Sequence, residues 1–312
     1  MVALAMAGGL TGCGLLPQSD LAPVTEQPQT ALRTRLDTPD LTIAGERLNV
    51  GLLEQFYARH GEAPVWITRP SQAKSLVEAV LRAGDQGLDP ELFHAALLRR
   101  SVTLAPIDRD LLLSDAFLSY ADALARGAVP VERRGDDEIL SPGPVDVAAA
   151  LDAAIDNPDP GASIESLAPT TPTYAALRLA LRAYRTSAAH GHASAGRLET
   201  IDVNLERQRW LPRSLPADRA WVNVANQLLT FYRADQPVFS TRVVVGEDVK
   251  SHQTPEFRAT IDASFFNPPW VIPKDIVTAE ILPKIRRDPA YLAKNKMIML
   301  EGGEAEQLPG PD

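Results

Sequence analysis

The chain has a single cysteine, Cys13, in 312 residues. One thiol excludes an intramolecular disulfide framework and any multi-cysteine zinc site. Basic residues are scarce too: 31 Lys and Arg stand against 40 Asp and Glu, a formal net charge of −9. The imbalance is uneven, with 25 acidic and 17 basic residues up to Thr200 and 15 and 14 beyond it. Neither part has the cationic surplus needed to neutralise many phosphates, so nucleic acid is not an expected partner. No apolar run approaches the ~20 residues of a membrane-spanning helix. Gly-x-Ser-x-Gly elbows, Walker loops and dinucleotide fingerprints are absent, and no cofactor is implied.

What remains is ordinary globular material, 45% apolar and 23% charged, long enough for about two domains. The 26 prolines point to long loops and extended joints. Val2 to Leu10 is a short apolar stretch followed by Leu10-Thr11-Gly12-Cys13, a tetrad similar to a bacterial lipobox. On that reading Cys13 is lipidated, acyl chains attach the protein to a membrane, and the location is the periplasm or cell envelope. Met1 to Gly12 lacks the Lys or Arg with which such a signal opens, which reads as a clipped or mis-assigned start. Residues 1–13 are therefore taken as a lipoprotein-type signal and 14–45 as a tether rich in Pro, Thr and Gln.

Helical spacing dominates the next segment. Leu48, Leu52, Leu53, Phe56 and Tyr57 fall on one face of a predicted helix over Arg47 to Arg59. Ser71 is the expected cap of a second helix, with Gly84 as its terminator, and Asp89-Pro90 opens a third. A longer helix is predicted from Asp108 to Arg126 ahead of Gly127, and further ones over Val145 to Ile155 and Thr173 to Thr186. After Trp210-Leu-Pro212 the pattern changes to short β-branched and aromatic stretches: Trp221 to Ala225, Leu228 to Arg233, Val238 to Gly246 and Phe257 to Phe266. Val243, Val244 and Val245 predict a strand buried on both faces. Ile276 to Arg286 reads as a helix bent by Pro283. The expected class is α+β: a mostly helical domain (46–186), a linker (187–199) and a mainly β domain (200–312).

Several stretches also carry a family likeness. Phe56-Tyr57 with Pro64-Val65-Trp66, then Ala83-Gly84-Asp85-Gln86-Gly87-Leu88-Asp89-Pro90, resemble the scaffold domain of large L,D-transpeptidases. Residues 110–130 (DLLLSDAFLSYADALARGAVP), Leu167-Ala-Pro169, Tyr174 and Tyr184 fit the same scaffold. Asn204-Leu-Glu-Arg-Gln-Arg-Trp-Leu-Pro212 is similar to the family's lead-in to its catalytic domain. Pro255, Phe266-Asn267-Pro268-Pro269-Trp270-Val271-Ile272-Pro273 and the stretch from Ile281 to Leu292 follow in the expected order.

The resemblance implies a peptidoglycan reaction in which a cysteine attacks a stem-peptide carbonyl and an amine of a second stem takes the acyl group. That chemistry requires a thiolate beside a histidine and backbone donors for the oxyanion. The family's histidine and Ser-His-Gly-Cys-type segment have no counterpart in this sequence, so a fragment of a cell-wall cross-linking enzyme, inactive by itself, is expected. The alternative is a non-catalytic, cell-wall-associated scaffold lipoprotein. Cys13 precedes both domains and is not the nucleophile. Asn267, Trp270 and Pro273 are candidates for lining a stem-peptide cleft; the competing structural reading makes Trp270 a plug that fixes a proline-rich loop.

No metal is expected. His190-Gly-His192 lacks a third ligand, and Asp136-Asp137-Glu138 reads as a solvated loop. His60 reads as a helix-end cap, His94 as a packed helical residue and His252 as part of a solvated turn.

Overall fold

The computed structural model describes residues 27–134, 140–189, 195–247 and 253–309. Two compact units are present, residues 1–256 and 257–312. In the first, the earliest described elements are α1 (Pro28–Leu36) and a small hairpin, β1 (Thr42–Ile43) and β2 (Glu46–Arg47). Ala44 and Gly45 both have positive φ (49° and 91°), as a two-residue hairpin turn requires. Helices α2 (Val50–Arg59), α3 (Pro70–Leu81), α4 (Ala95–Leu98), α5 (Pro106–Arg126), α6 (Val147–Ile155), α7 (Pro160–Glu165), α8 (Pro172–Ala189) and α9 (Ala195–Trp210) follow.

The core is organised on α5. Pro106 occupies its first turn, where a missing N–H costs nothing. Leu111, Leu112, Leu113, Phe117, Leu118 and Leu124 are all buried, on every side of the helix. A helix apolar all round belongs in an interior, and α2, α3, α6, α7 and α9 pack around this one.

Three local expectations shift. Ser71 is not the cap of α3: Pro70 takes the first helical position, and Ser71 Oγ bonds Gln72 instead. Gly84 does not end that helix; the chain passes through a 3₁₀ turn (Ala83–Gln86), and the left-handed residue is Gly87, φ +71°. His94 is not inside a helix but joins the 3₁₀ turn Pro90–Phe93 to α4, with φ +60°.

Part of the expected linker is helical. Helix α8 continues to Ala189 and α9 begins at Ala195. Ile201 and Leu205 of α9 join the same hydrophobic core as α5. The segment that reads as a lead-in to the second domain is therefore built into the helical one.

The first unit ends in an antiparallel sheet of β3 (Arg219–Asn223), β4 (Leu228–Arg233) and β5 (Gln236–Arg242), in that order. All seven residues of β5 are exposed. The expectation of a strand buried on both faces at Val243–Val245 fails: β5 stops at Arg242 and Val244 is fully exposed. Among the described residues no further strand extends this sheet, and a hydrophobic run is buried only where something covers it.

The second unit is described by itself. Phe257 to Phe266 forms no strand, and Phe257, Ile261, Phe265 and Phe266 are exposed. Then come β6 (Trp270–Ile272), α10 (Lys274–Ile276), a π turn (Val277–Ile281), α11 (Leu282–Arg287), α12 (Tyr291–Lys294), β7 (Met297–Met299) and β8 (Ala305–Gln307). The widened turn sits directly before Pro283, which has no N–H to continue an α ladder. Its sheet runs β6-β8-β7, antiparallel, over a small core of Ile272, Val277, Ile281, Met297 and Ala305. The architecture is α+β. No helix among the described residues is long and apolar enough to cross a membrane.

Candidate substrate-facing site and the buried polar networks

Asn267, Trp270 and Pro273 lie on one short exposed segment of the second unit. Asn267 has φ +50°, a left-handed conformation that asparagine tolerates better than most residues. Pro273 precedes α10 as its N-cap, with φ −57°. Between them Trp270 opens β6, opposite Gln307 of β8, which in turn faces Met297 of β7.

Ile272, two residues on, is completely buried and anchors the strand, whereas the Trp270 side chain is 54% exposed. Trp270 thus leaves about half its surface in solvent, and an indole is an amphipathic group of the kind aromatic recognition uses. In the turn between β7 and β8, Gly303 (φ +85°) allows the Lys274 stem to lie 3.4 Å from where a Cβ would stand.

The remaining polar constellations are buried in the helical part. Asp110 Oδ1 accepts from Tyr57 Oη (2.6 Å) and the Val65 N–H (3.0 Å), and Oδ2 accepts from the Trp66 N–H (2.8 Å). Tyr57 has thus spent its proton, so Ser114 Oγ donates to Tyr57 Oη (2.8 Å) while accepting from Trp66 Nε1 (2.8 Å). Burial pushes the Asp110 carboxyl above its ordinary range, against the hydrogen bonds from Tyr57, Val65 and Trp66. Burial, then the Asp110 charge, pushes the Tyr57 phenol well up. Neither group is free to do acid–base work on a substrate. They fix the loop before α3 onto α5.

A second network ties α9 down. Arg209, fully buried, donates to Glu206 Oε2 (2.8 Å), Tyr174 Oη (3.1 Å) and the Gln86 carbonyl, and its guanidinium lies 5.5 Å from the Tyr174 ring centroid. Glu206 Oε1 accepts from the Val129 N–H (2.9 Å) and Trp210 Nε1 (3.0 Å). Arg213 caps the end of α5 by donating to the Leu124 and Ala125 carbonyls.

Sequence reasoning missed both networks. The available signal for the first was the placement of Asp110 and Ser114 within an otherwise apolar helix, where polar groups are retained only if paired.

His60 ends α2 as expected and contacts Asp152 Oδ1 at 2.6 Å. Cys13, Asp136 to Glu138, His190, His192 and His252 lie outside the described residues. Among the described residues no group of three His, Cys, Asp or Glu could hold a metal ion.

Comparison with known proteins defines the class. Residues 51–181 match the family model described as "Scaffold domain", and residues 217–309 match that described as "L,D-transpeptidase catalytic domain". The chain belongs to the L,D-transpeptidase family, with an N-terminal scaffold domain. Among individual proteins it is similar to the "Putative L,D-transpeptidase" of Haemophilus influenzae, 27% identical over 103 residues. That alignment covers 33% of this chain and 20% of the relative, so the chain spans about a fifth of the relative's length. Helix α9 lies between the two matched stretches.

Proposed function

We propose that this protein serves peptidoglycan cross-linking through cysteine acyl transfer between stem peptides, and that the segment bearing Asn267, Trp270 and Pro273 presents a stem peptide for that reaction. The observation that carries the reading is the presence of both matched stretches, scaffold then catalytic domain, in one chain. Residues 217–309 contain no cysteine, so their part here is recognition rather than nucleophilic attack. The half-exposed indole of Trp270 on an anchored strand supports a stacking role. The second reading is a non-catalytic wall-associated scaffold.

The site belongs in the periplasm or cell envelope, with Cys13 as lipid attachment point; the Leu-Thr-Gly-Cys tetrad supports this. Replacing Cys13 with serine should move the protein from the membrane fraction to the soluble fraction of expressing cells, and an unchanged partition would rule the anchor out.

The recognition step is tested by titrating the 312-residue protein with a synthetic stem peptide while following indole N–H resonances. The Trp270 resonance should shift on binding, and Trp270→Ala should weaken the affinity about tenfold, the loss of one aromatic contact of about 1.4 kcal/mol. Equal affinity for both proteins would remove Trp270 from the site.

A further inference from the structure

His94 stands between two carboxylates. Its Nε2 lies 2.8 Å from Asp115 Oδ2 and its Nδ1 3.2 Å from Glu46 Oε2. A neutral imidazole has one N–H, and carboxylates only accept, so both contacts are satisfied together only by the doubly protonated ring.

The two partners differ in environment. Asp115, 3% exposed, also receives the N–H of Asn49, the residue that caps α2, at 2.6 Å. Glu46, 48% exposed, sits on the hairpin strand β2. The charges acting on the ring are these two. Glu91, on the same turn, is occupied by the Ala96 N–H and Arg99; Lys74 and Glu78 of α3 face each other at the surface; Arg47 beside Glu46 pairs with Asp40; and Asp110, nearer the start of α5, is held by Tyr57. The φ of +60° at His94 is a conformation that a non-glycine residue takes only when its surroundings hold it there.

We propose that His94 is a protonation-controlled latch, its imidazolium tying the β1–β2 hairpin to α5 and the loss of its Nδ1 proton releasing Glu46 to solvent. Nδ1 loses its proton rather than Nε2 because Glu46 can be hydrated on release and buried Asp115 cannot. The α2 cap on Asp115 therefore survives while the hairpin tie is lost.

Burial pulls the His94 pKa down, but the hydrogen bonds and charges of Asp115 and Glu46 outweigh it, and the net direction is upward from 6.5. A histidine with a raised folded pKa stabilises fully below its unfolded value, and that stabilisation is lost as pH rises through the folded one. The tie between the hairpin and α5 is thus complete below about pH 6.5 and is lost as pH rises through the higher folded value.

The test is amide hydrogen exchange on the full chain, corrected for intrinsic rates, with the His94 ring followed by NMR. Protection over Thr42–Leu48 should fall about tenfold between about pH 6 and about pH 9 while the α5 amides keep theirs. In Glu46→Gln the side-chain amide can accept from a protonated ring or donate to a neutral one, so the hairpin should stay protected across the range. Protection independent of pH in the wild type, an unaltered step in Glu46→Gln, or a His94 midpoint below 6.5 would each overturn the latch.

Discussion

Gly127 lies directly against the indole of Trp210: a Cβ at Gly127 would stand 2.5 Å from Trp210 Nε1 and 2.6 Å from Glu206 Oε1. The contact joins the end of α5 to the end of α9. Gly87 makes the corresponding approach lower on α9, its Cβ position falling 2.7 Å from Leu205 Cδ1 and 2.9 Å from Asp202 Oδ1. Both glycines have positive φ, +93° and +71°. Two backbone sites without side chains thus seat α9 on the helical core.

Gly127→Ala should therefore be costly. Backbone strain and the clash with Trp210 together predict a loss of about 2 kcal/mol. Gly61 provides the contrast, having φ +60° but open space around its Cβ position; its alanine variant should lose only about 1 kcal/mol. Thermal unfolding of both variants reads the difference. Equal shifts would show that Trp210 yields without cost.

Asp110→Ala should leave the Val65 and Trp66 N–H groups buried and unpaired, for a loss of about 3 kcal/mol in urea denaturation. A change below about 1 kcal/mol would mean that water replaces the carboxylate. The pH dependence has a definite sign. Burial raises the folded pKa, so the contribution from this group is fullest below about pH 4 and is lost as pH rises through the folded value. Asp110→Asn should remove that acid-range slope.

Arg209→Met deletes a fully buried cation and strands its partners Glu206, Tyr174 and the Gln86 carbonyl. The expected cost is about 3 kcal/mol. Hydrogen exchange should show α9 losing protection ahead of α5. Simultaneous loss in both helices would mean that α9 is no separate unit of stability.

A thiol-directed carbapenem should form no saturable covalent adduct with the 312-residue protein, because residues 217–309 contain no cysteine and Cys13 lies outside both matched stretches. Intact-mass spectrometry checks this. A saturable adduct on Cys13 would put the chemistry where the proposed function does not.

Much was legible from residue order. The change from 3.6-residue spacing to short β-branched stretches after Pro212 announced an α+β chain, Gly127 marked the end of α5, and Asp89-Pro90 marked a helix start that the structure keeps only as a 3₁₀ turn, with the Asp89 side chain accepting from the Glu91 N–H. These are local effects of backbone torsion and capping, so neighbouring residues suffice to encode them. The run around Trp270 was also visible, as an aromatic among prolines, but its exposure was not.

The allegiance of α9 was decided only in three dimensions. Residues 204–212 read as the approach to a second domain, yet Leu205 and Arg209 are buried in the first: Gly87 leaves room for Leu205, and Glu206, Tyr174 and the Gln86 carbonyl hold Arg209. Asp110, Asp115 and Arg209 look like solvent-facing charges in one dimension; tertiary partners as many as 123 residues away make their burial affordable. Val243–Val245 fails in the opposite direction. Hydrophobicity can be read from the chain, but burial depends on what lies against it, and that is settled by packing.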